Sequence, residues 1–411
     1  MRPDSAGVAV IGTLDTKAAE IRYVRDAIRA AGLPSFVIDS GILGTAGLEA
    51  EIPRELVAEA AGHTLKEIQD AGSRGAAVEL MQQGLSALVR DLYDSGLISG
   101  VLCLGGAEGG LMGAAAMQSL PVGVPKLIVS PSASGPRQFG PFVGSSDVMV
   151  MHSVIDILGL NAIARSVFDN AVAAMVGMVK HAGELPRFER PAIGITMLGQ
   201  TTPGASVLAA DLEAAGLEPV IFHANGVGGP AMDAFARDGL LAGVVDFTLS
   251  EPANSLFDGL HATGPHRMRA AVEAGLPLLV VPGAADFFNQ GPMSSVPERF
   301  RSRQLYHHNP VATLVRVEAE EMFELGALIA SRLEGATAPT EVVVPVRGLS
   351  LIGVEGGAIE SPAADSALIE GLRAHLPAGI ELVLVDDHIN SEQFGHTVAA
   401  RFLGLMERAG V

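Results

Sequence analysis

In the first half of this sequence, glycines, hydroxyls and acidic residues gather at a few points, each next to a short apolar run. Gly12, Thr13, Asp15, Thr16 and Lys17 follow residues 7–11, and Ser40 and Gly41 follow Phe36-Val37-Ile38-Asp39. Gly105, Gly106, Glu108, Gly109 and Gly110 stand between Val101-Leu102-Cys103-Leu104 and an Ala/Met-rich segment of helical character. Ser130, Ser132, Ser134 and Gly135 follow Lys126-Leu127-Ile128-Val129, and Asp147 with Ser145 opens a further apolar run. A glycine turn that enters a helix leaves backbone N–H groups free at the positive end of the helix dipole, which is an anion site. In an α/β protein the usual anion is a phosphate. The competing reading of residues 105–110 is a tight turn that only packs a helix onto a sheet. Lys17 could bring a charge to phosphates or be a solvated helix lysine. Asp39 holds a ribose-binding position of dinucleotide folds, but a strand-end cap accounts for it better.

The second half offers different chemistry. His223 and Asn225 end an apolar run, Glu251 follows Thr248-Leu249-Ser250, and Asp286 and Asn289 follow a Pro282-Gly283 turn. His308 belongs to the cluster Tyr306-His307-His308-Asn309-Pro310, and Asp387 and His388 close the last apolar run. Carboxylates and imidazoles that converge could bind a divalent metal of unknown identity or do acid–base work. His223, Glu251, Asp286 and His308 are the candidate catalytic set for a metal-dependent hydrolase or lyase. Taken singly, each is better explained as a cap or turn former. No His-Glu-x-x-His occurs, and no Gly-x-Gly-x-x-Gly follows the first run, so an ordinary NAD site is not supported. Neither a Gly-x4-Gly-Lys-Ser/Thr loop nor a Gly-x-Ser-x-Gly elbow is present, which argues against a P-loop and an α/β-hydrolase.

These residues must be positioned by strands and helices in alternation. Residues 7–11 read as a strand, and Ile21, Val24 and Ile28 recur at helical spacing before Gly32 and a second strand at residues 36–38. The spacing predicts an irregular loop over 42–61, a helix over 74–93 and a long apolar helix over 160–181. After a linker at 183–190 the pattern restarts, with strands expected at 192–195, 220–222, 243–245, 278–281, 341–346 and 380–385. Residues 289–309 read as a loop too polar and proline-broken for the core. Asp15 or Thr16, Ser361 and Ser391 are the expected helix caps. This predicts an α/β protein of two Rossmann-like, doubly wound parallel-sheet domains, residues 1–183 and 184–411, facing each other across a cleft.

Composition agrees with that class. Of 411 residues 48% are hydrophobic, 49 are glycine and none is Trp. Asp and Glu outnumber Lys and Arg by 46 to 27, a net charge of −19, which argues against nucleic-acid or anionic-membrane partners. Cys103 is the single cysteine, so no internal disulfide forms, and its place in an apolar run points to inert burial. No apolar stretch approaches about 18 residues, and a soluble, cytoplasmic protein is expected.

Several segments together resemble the uncharacterised bacterial and fungal proteins related to the N-terminal domain of the plant tobamovirus-resistance protein. They include Ile11-Gly12-Thr13-Leu14-Asp15-Thr16-Lys17, Leu104-Gly105-Gly106-Ala107-Glu108-Gly109-Gly110 and Val143-Gly144-Ser145-Ser146-Asp147-Val148. Phe222-His223-Ala224-Asn225-Gly226, Val280-Val281-Pro282-Gly283-Ala284-Ala285-Asp286 and Val296-Pro297-Glu298-Arg299-Phe300 extend the likeness through the second half. The resemblance implies two Rossmann-like subdomains, a homodimer, and ATP bound by the first subdomain on the turns marked above. Where that family usually carries Gly-Gly-Ser/Thr-Gly-Gly-Thr, this chain has Ala107, Glu108 and Gly110, losing two hydroxyls and gaining a carboxylate. Glu108 could hold Mg2+ or weaken ATP binding by repulsion. With no nucleophile motif present, a non-catalytic sensor of a phosphorylated metabolite fits the same residues.

Overall fold

The computed structural model describes residues 6–133, 140–182 and 188–411. The chain divides into two compact units, Met1–Arg187 and Phe188–Val411.

In the first unit β1 (Gly7–Gly12), α1 (Ala18–Ala30) and β2 (Ser35–Asp39) are followed by α2 (Arg54–Ala60), α3 (Leu65–Gln69) and α4 (Arg74–Asp94). Then come β3 (Ile98–Leu104), α5 (Ala107–Gln118), β4 (Lys126–Ser130), α6 (Gly140–Val143), β5 (Met149–His152) and α7 (Ala162–His181). The strands form one sheet in the order β2-β1-β3-β4-β5, parallel throughout. Alternate residues of each strand serve opposite faces, as the pleat requires. Ala9, Ile11, Val101 and Cys103 pack with Met81, Leu85 and Met117 from α4 and α5. Val8, Val10, Leu102 and Leu104 pack with Ile21, Val24, Phe168 and Met175 from α1 and α7. Burial on both faces is why these strands read as unbroken apolar runs.

Two expectations need correcting here. The stretch expected as an irregular loop over 42–61 ends in α2, with Pro53 in extended conformation at its cap. Proline is tolerated at a helix start, so it marks an entry there rather than a break. Among the described residues α7, 20 residues long, has the length and composition of a membrane-crossing helix. Its Phe168, Ala171, Val172 and Met175 are core residues. Scattered polar residues had divided this run in the sequence.

The second unit runs β6 (Ala192–Met197), α8 (Thr202–Ala214), β7 (Glu218–His223), α9 (Gly228–Arg237), β8 (Gly243–Thr248), α10 (Ser250–Leu256), α11 (Arg269–Glu273) and β9 (Leu278–Gly283). It continues through β10 (Phe287–Gln290), β11 (Leu305–Asn309), β12 (Ala312–Arg316), α12 (Ala319–Arg332), β13 (Thr340–Pro345), α13 (Pro362–His375), β14 (Glu381–Val385) and α14 (Glu392–Ala409). Its parallel sheet has the order β14-β13-β9-β8-β6-β7. That is the first unit's winding with one strand more. The segment expected as a polar loop is instead an antiparallel sheet, β10-β12-β11, inserted between β9 and β13. Phe287, Phe288, Val296 and Phe300 from it are buried. They are too widely spaced, with Pro292 and Pro297 between them, to show a period in the sequence.

Candidate functional site

In the first unit the chain winds outward in both directions from β1 and β3, so the carboxyl ends of these adjacent strands meet at a topological switch point. Ligands of open α/β sheets bind in that crevice. A cavity of about 600 Å³ lies there. Its floor is the turn after β1, where Thr16 and Lys17 N–H donate to Thr13 O at 3.3 and 2.9 Å. The Thr13 and Thr16 hydroxyls are 2.9 Å apart, and Asp15 lines the same floor. This turn, not Asp15 or Thr16 as a cap, leads into α1: Lys17 holds the cap position and no side chain caps the helix.

The opposite wall is the turn after β3. A Cβ on Gly105 would lie 2.4 Å from the backbone of Gly109 and Gly110, so only glycine lets the chain double back there. Gly110 packs against Phe142, and Gly113 closes α5 onto Cys103. Gly106 is different, because a Cβ there would meet no atom within 4 Å. It borders the cavity and caps α5 without any side-chain cap. The first N–H groups of a helix have no partner within it, and Ala107, Glu108 and Gly109 of this first turn all line the cavity. Packing and cavity lining are thus divided among neighbouring glycines.

The remaining walls escaped sequence reasoning. Ile42, Leu43, Ala77 and Met112 give an apolar side, while Gln69, Ser73 and Arg74 give a polar one. The 42–44 segment is held in place by Arg54, which donates to Leu43 O and Gly44 O at 2.8 Å, and by Gln69, which donates to Ile42 O at 2.6 Å. Arg74 opens α4 behind its cap Ser73 and donates to both carboxylate oxygens of Glu108 at 2.6–2.8 Å. The carboxylate that the sequence sets among the glycines is therefore charge-balanced. Lys17 also has a partner, since its ammonium donates to Ile157 O at 3.2 Å. Asp39 accepts from Leu14 N–H and Gly41 N–H at 3.0 and 2.8 Å, and burial pushes its carboxyl above the usual range. It caps the strand end. Burial pushes the Cys103 thiol up to about 12, which keeps it protonated and unreactive.

Some predicted positions lie elsewhere. Ser40 is buried beside Gly12, its hydroxyl without a partner among the described residues. Ser130 closes its own turn by accepting from Ser132 N–H at 3.1 Å. Ser134 and Gly135 lie outside the described residues, as do positions 183–187 of the expected linker. Asp147 is at the opposite edge of the sheet, 2.6 Å from the buried ammonium of Lys126 and accepting from Gly123 N–H at 2.8 Å. It precedes β5, and in a parallel sheet a residue before a strand stands at the amino edge, away from the crevice.

In the second unit Glu251 is fully buried, accepts from Gly226 and Gly229 N–H at 2.9 and 3.1 Å, and is bound by Arg267 at 2.7 Å. Arg267 also forks onto Asp246 at 2.7 and 2.8 Å. Asp286 is buried, accepting from the Ser350 hydroxyl at 2.7 Å, and burial raises its pKa. His223 ends β7 and His308 lies on β11 rather than in a loop, both exposed. Burial first, then the nearby His223 and His308, lowers the pKa of His261 to about 4. Among the described residues no group of three or more His, Cys, Asp or Glu could hold a metal ion. Glu251 and Asp286 are tied into the fold, and the four expected residues form no metal centre among the described residues.

The chain is 37% identical over 402 residues to a UPF0261 protein of Clostridium tetani, covering 98% of this chain and 99% of that one. A UPF0261 protein of Brucella suis is 35% identical, with 98% and 96% covered. The ToMV resistance protein Tm-1 of Solanum lycopersicum is 32% identical over 99% of this chain and 56% of its own length. Residues 6–184 match the N-terminal domain of the Uncharacterised protein family UPF0261, and residues 190–406 match its C-terminal domain. On both matches and on these relatives, the chain belongs to the UPF0261 family.

Proposed function

We propose that the first unit binds a nucleoside polyphosphate, with ATP as the ligand that the family resemblance favours. The observation that carries this reading is the convergence of two backbone-rich turns, residues 13–17 and 106–109, on one cavity at the β1/β3 switch point. The free N–H groups of α5 and the Thr13 and Thr16 hydroxyls suit phosphate oxygens. Ile42, Leu43 and Met112 offer the apolar surface that a flat base needs. Asp15, which lines the same cavity beside the turn after β1, is the carboxylate placed to hold Mg2+ with the phosphates. Bound Mg2+ would neutralise phosphate charge.

Calorimetric titration with ATP, ADP and AMP, with and without Mg2+, tests the reading. Saturable binding is expected in the wild type, and Gly106→Val should abolish it with little change in thermal stability, since a Cβ at this position meets no atom within 4 Å. No heat for any of the three nucleotides at millimolar concentration would refute the proposal.

A further inference from the structure

Arg74 and Glu108 both line the cavity, one at the start of α4 and the other in the first turn of α5. Their contact is bidentate: Arg74 Nε is 2.8 Å from both carboxylate oxygens and Nη2 is 2.6 Å from Oε2. Nothing buries it, the side chains being 71% and 46% exposed. An exposed pair of this kind costs little to separate. A phosphate offers a guanidinium the same forked geometry with more negative charge. The carboxylate also sits where the α5 dipole favours an anion. Arg74 is therefore parked on an internal anion at the position where a ligand's anion is proposed to bind. The second cation of the cavity, Lys17, is turned to Ile157 O.

Building on the nucleotide reading, we infer that Arg74 is a phosphate-binding residue latched by Glu108, and that the incoming polyphosphate takes the guanidinium from the carboxylate. Glu108 then sets a threshold, because only a ligand that outbids it for Arg74 binds well.

Calorimetry on the full chain with ATP and with inorganic tripolyphosphate tests this, using Glu108→Gln, Arg74→Lys and the double variant. Both side chains are exposed, so the variants should unfold with the wild-type midpoint. Glu108→Gln should tighten both probes about fivefold. In that background Arg74→Lys keeps the charge but loses the fork, and it should reverse the gain. If Lys retains the gain, net charge alone explains it and the latch is refuted. If Glu108→Gln weakens binding only when Mg2+ is present, Glu108 is a metal ligand and the latch is also refuted. ATP binding that stays within about twofold in every variant sinks the latch while leaving the nucleotide reading intact. Tripolyphosphate binding that follows the expected pattern, without ATP binding, supports the latch and refutes the nucleotide reading. Failure of both probes in all variants refutes both.

Discussion

Glu251 shows how folding decides what a carboxylate can do. It follows β8 in the first turn of α10, where a metal ligand or a general base could stand. Arg267, sixteen positions later, engages it with a buried guanidinium, and two backbone N–H groups take its other oxygen. No local pattern announces that partner. Arg74 is the converse case: an ordinary helix residue in the sequence, it faces the candidate site only because α4 and α5 start side by side. Asp233 belongs to the same buried neighbourhood as Arg267. Burial first, then the nearby Asp246 charge, pushes its carboxyl from 3.8 to about 6 against the pull of Arg267. The native state then holds this proton more firmly than the unfolded chain does. The stability Asp233 contributes is complete below its unfolded pKa and is lost as pH rises through about 6. Relative to Asp233→Asn, the wild type should lose about 3 kcal/mol between about pH 4 and about pH 7 in urea unfolding. Parallel pH profiles would contradict this.

At the scale of elements, the parallel strands were the most legible feature, because burial on both faces leaves continuous apolar runs bounded by glycine and proline. The antiparallel insertion β10-β12-β11 was not, because its few aromatic core residues are separated by turns. Asp147 was misplaced for a related reason: hydrophobic runs reveal where a strand lies, but its amino and carboxyl edges must be assigned separately. The candidate site depends on how closely α5 approaches β3. A Cβ on Gly113 would fall 2.3 Å from Cys103 Sγ, so Gly113→Ala should push the helix outward. An overpacked core of this kind costs about 1–3 kcal/mol, read as a lowered denaturation midpoint, and ATP affinity should fall because the N–H groups of the helix start move. A variant with wild-type stability and affinity would show that α5 has slack the packing does not suggest.

For the whole molecule, the two units share a strand order but differ at their crevices. In the first, the N-terminus of α5 opens onto a cavity lined by backbone donors. In the second, a buried carboxylate already takes Gly226 and Gly229 N–H at the entry to α9. The same winding thus presents an open helix entry in one half and an internally satisfied one in the other, which is why nucleotide binding is proposed for the first unit. Hydrogen–deuterium exchange with and without Mg2+–ATP tests this most directly. Amides of residues 13–17 and 106–109 should gain protection, while those of 226–229 remain unchanged. Protection confined to the second unit, or none anywhere at saturating ATP, would contradict the account.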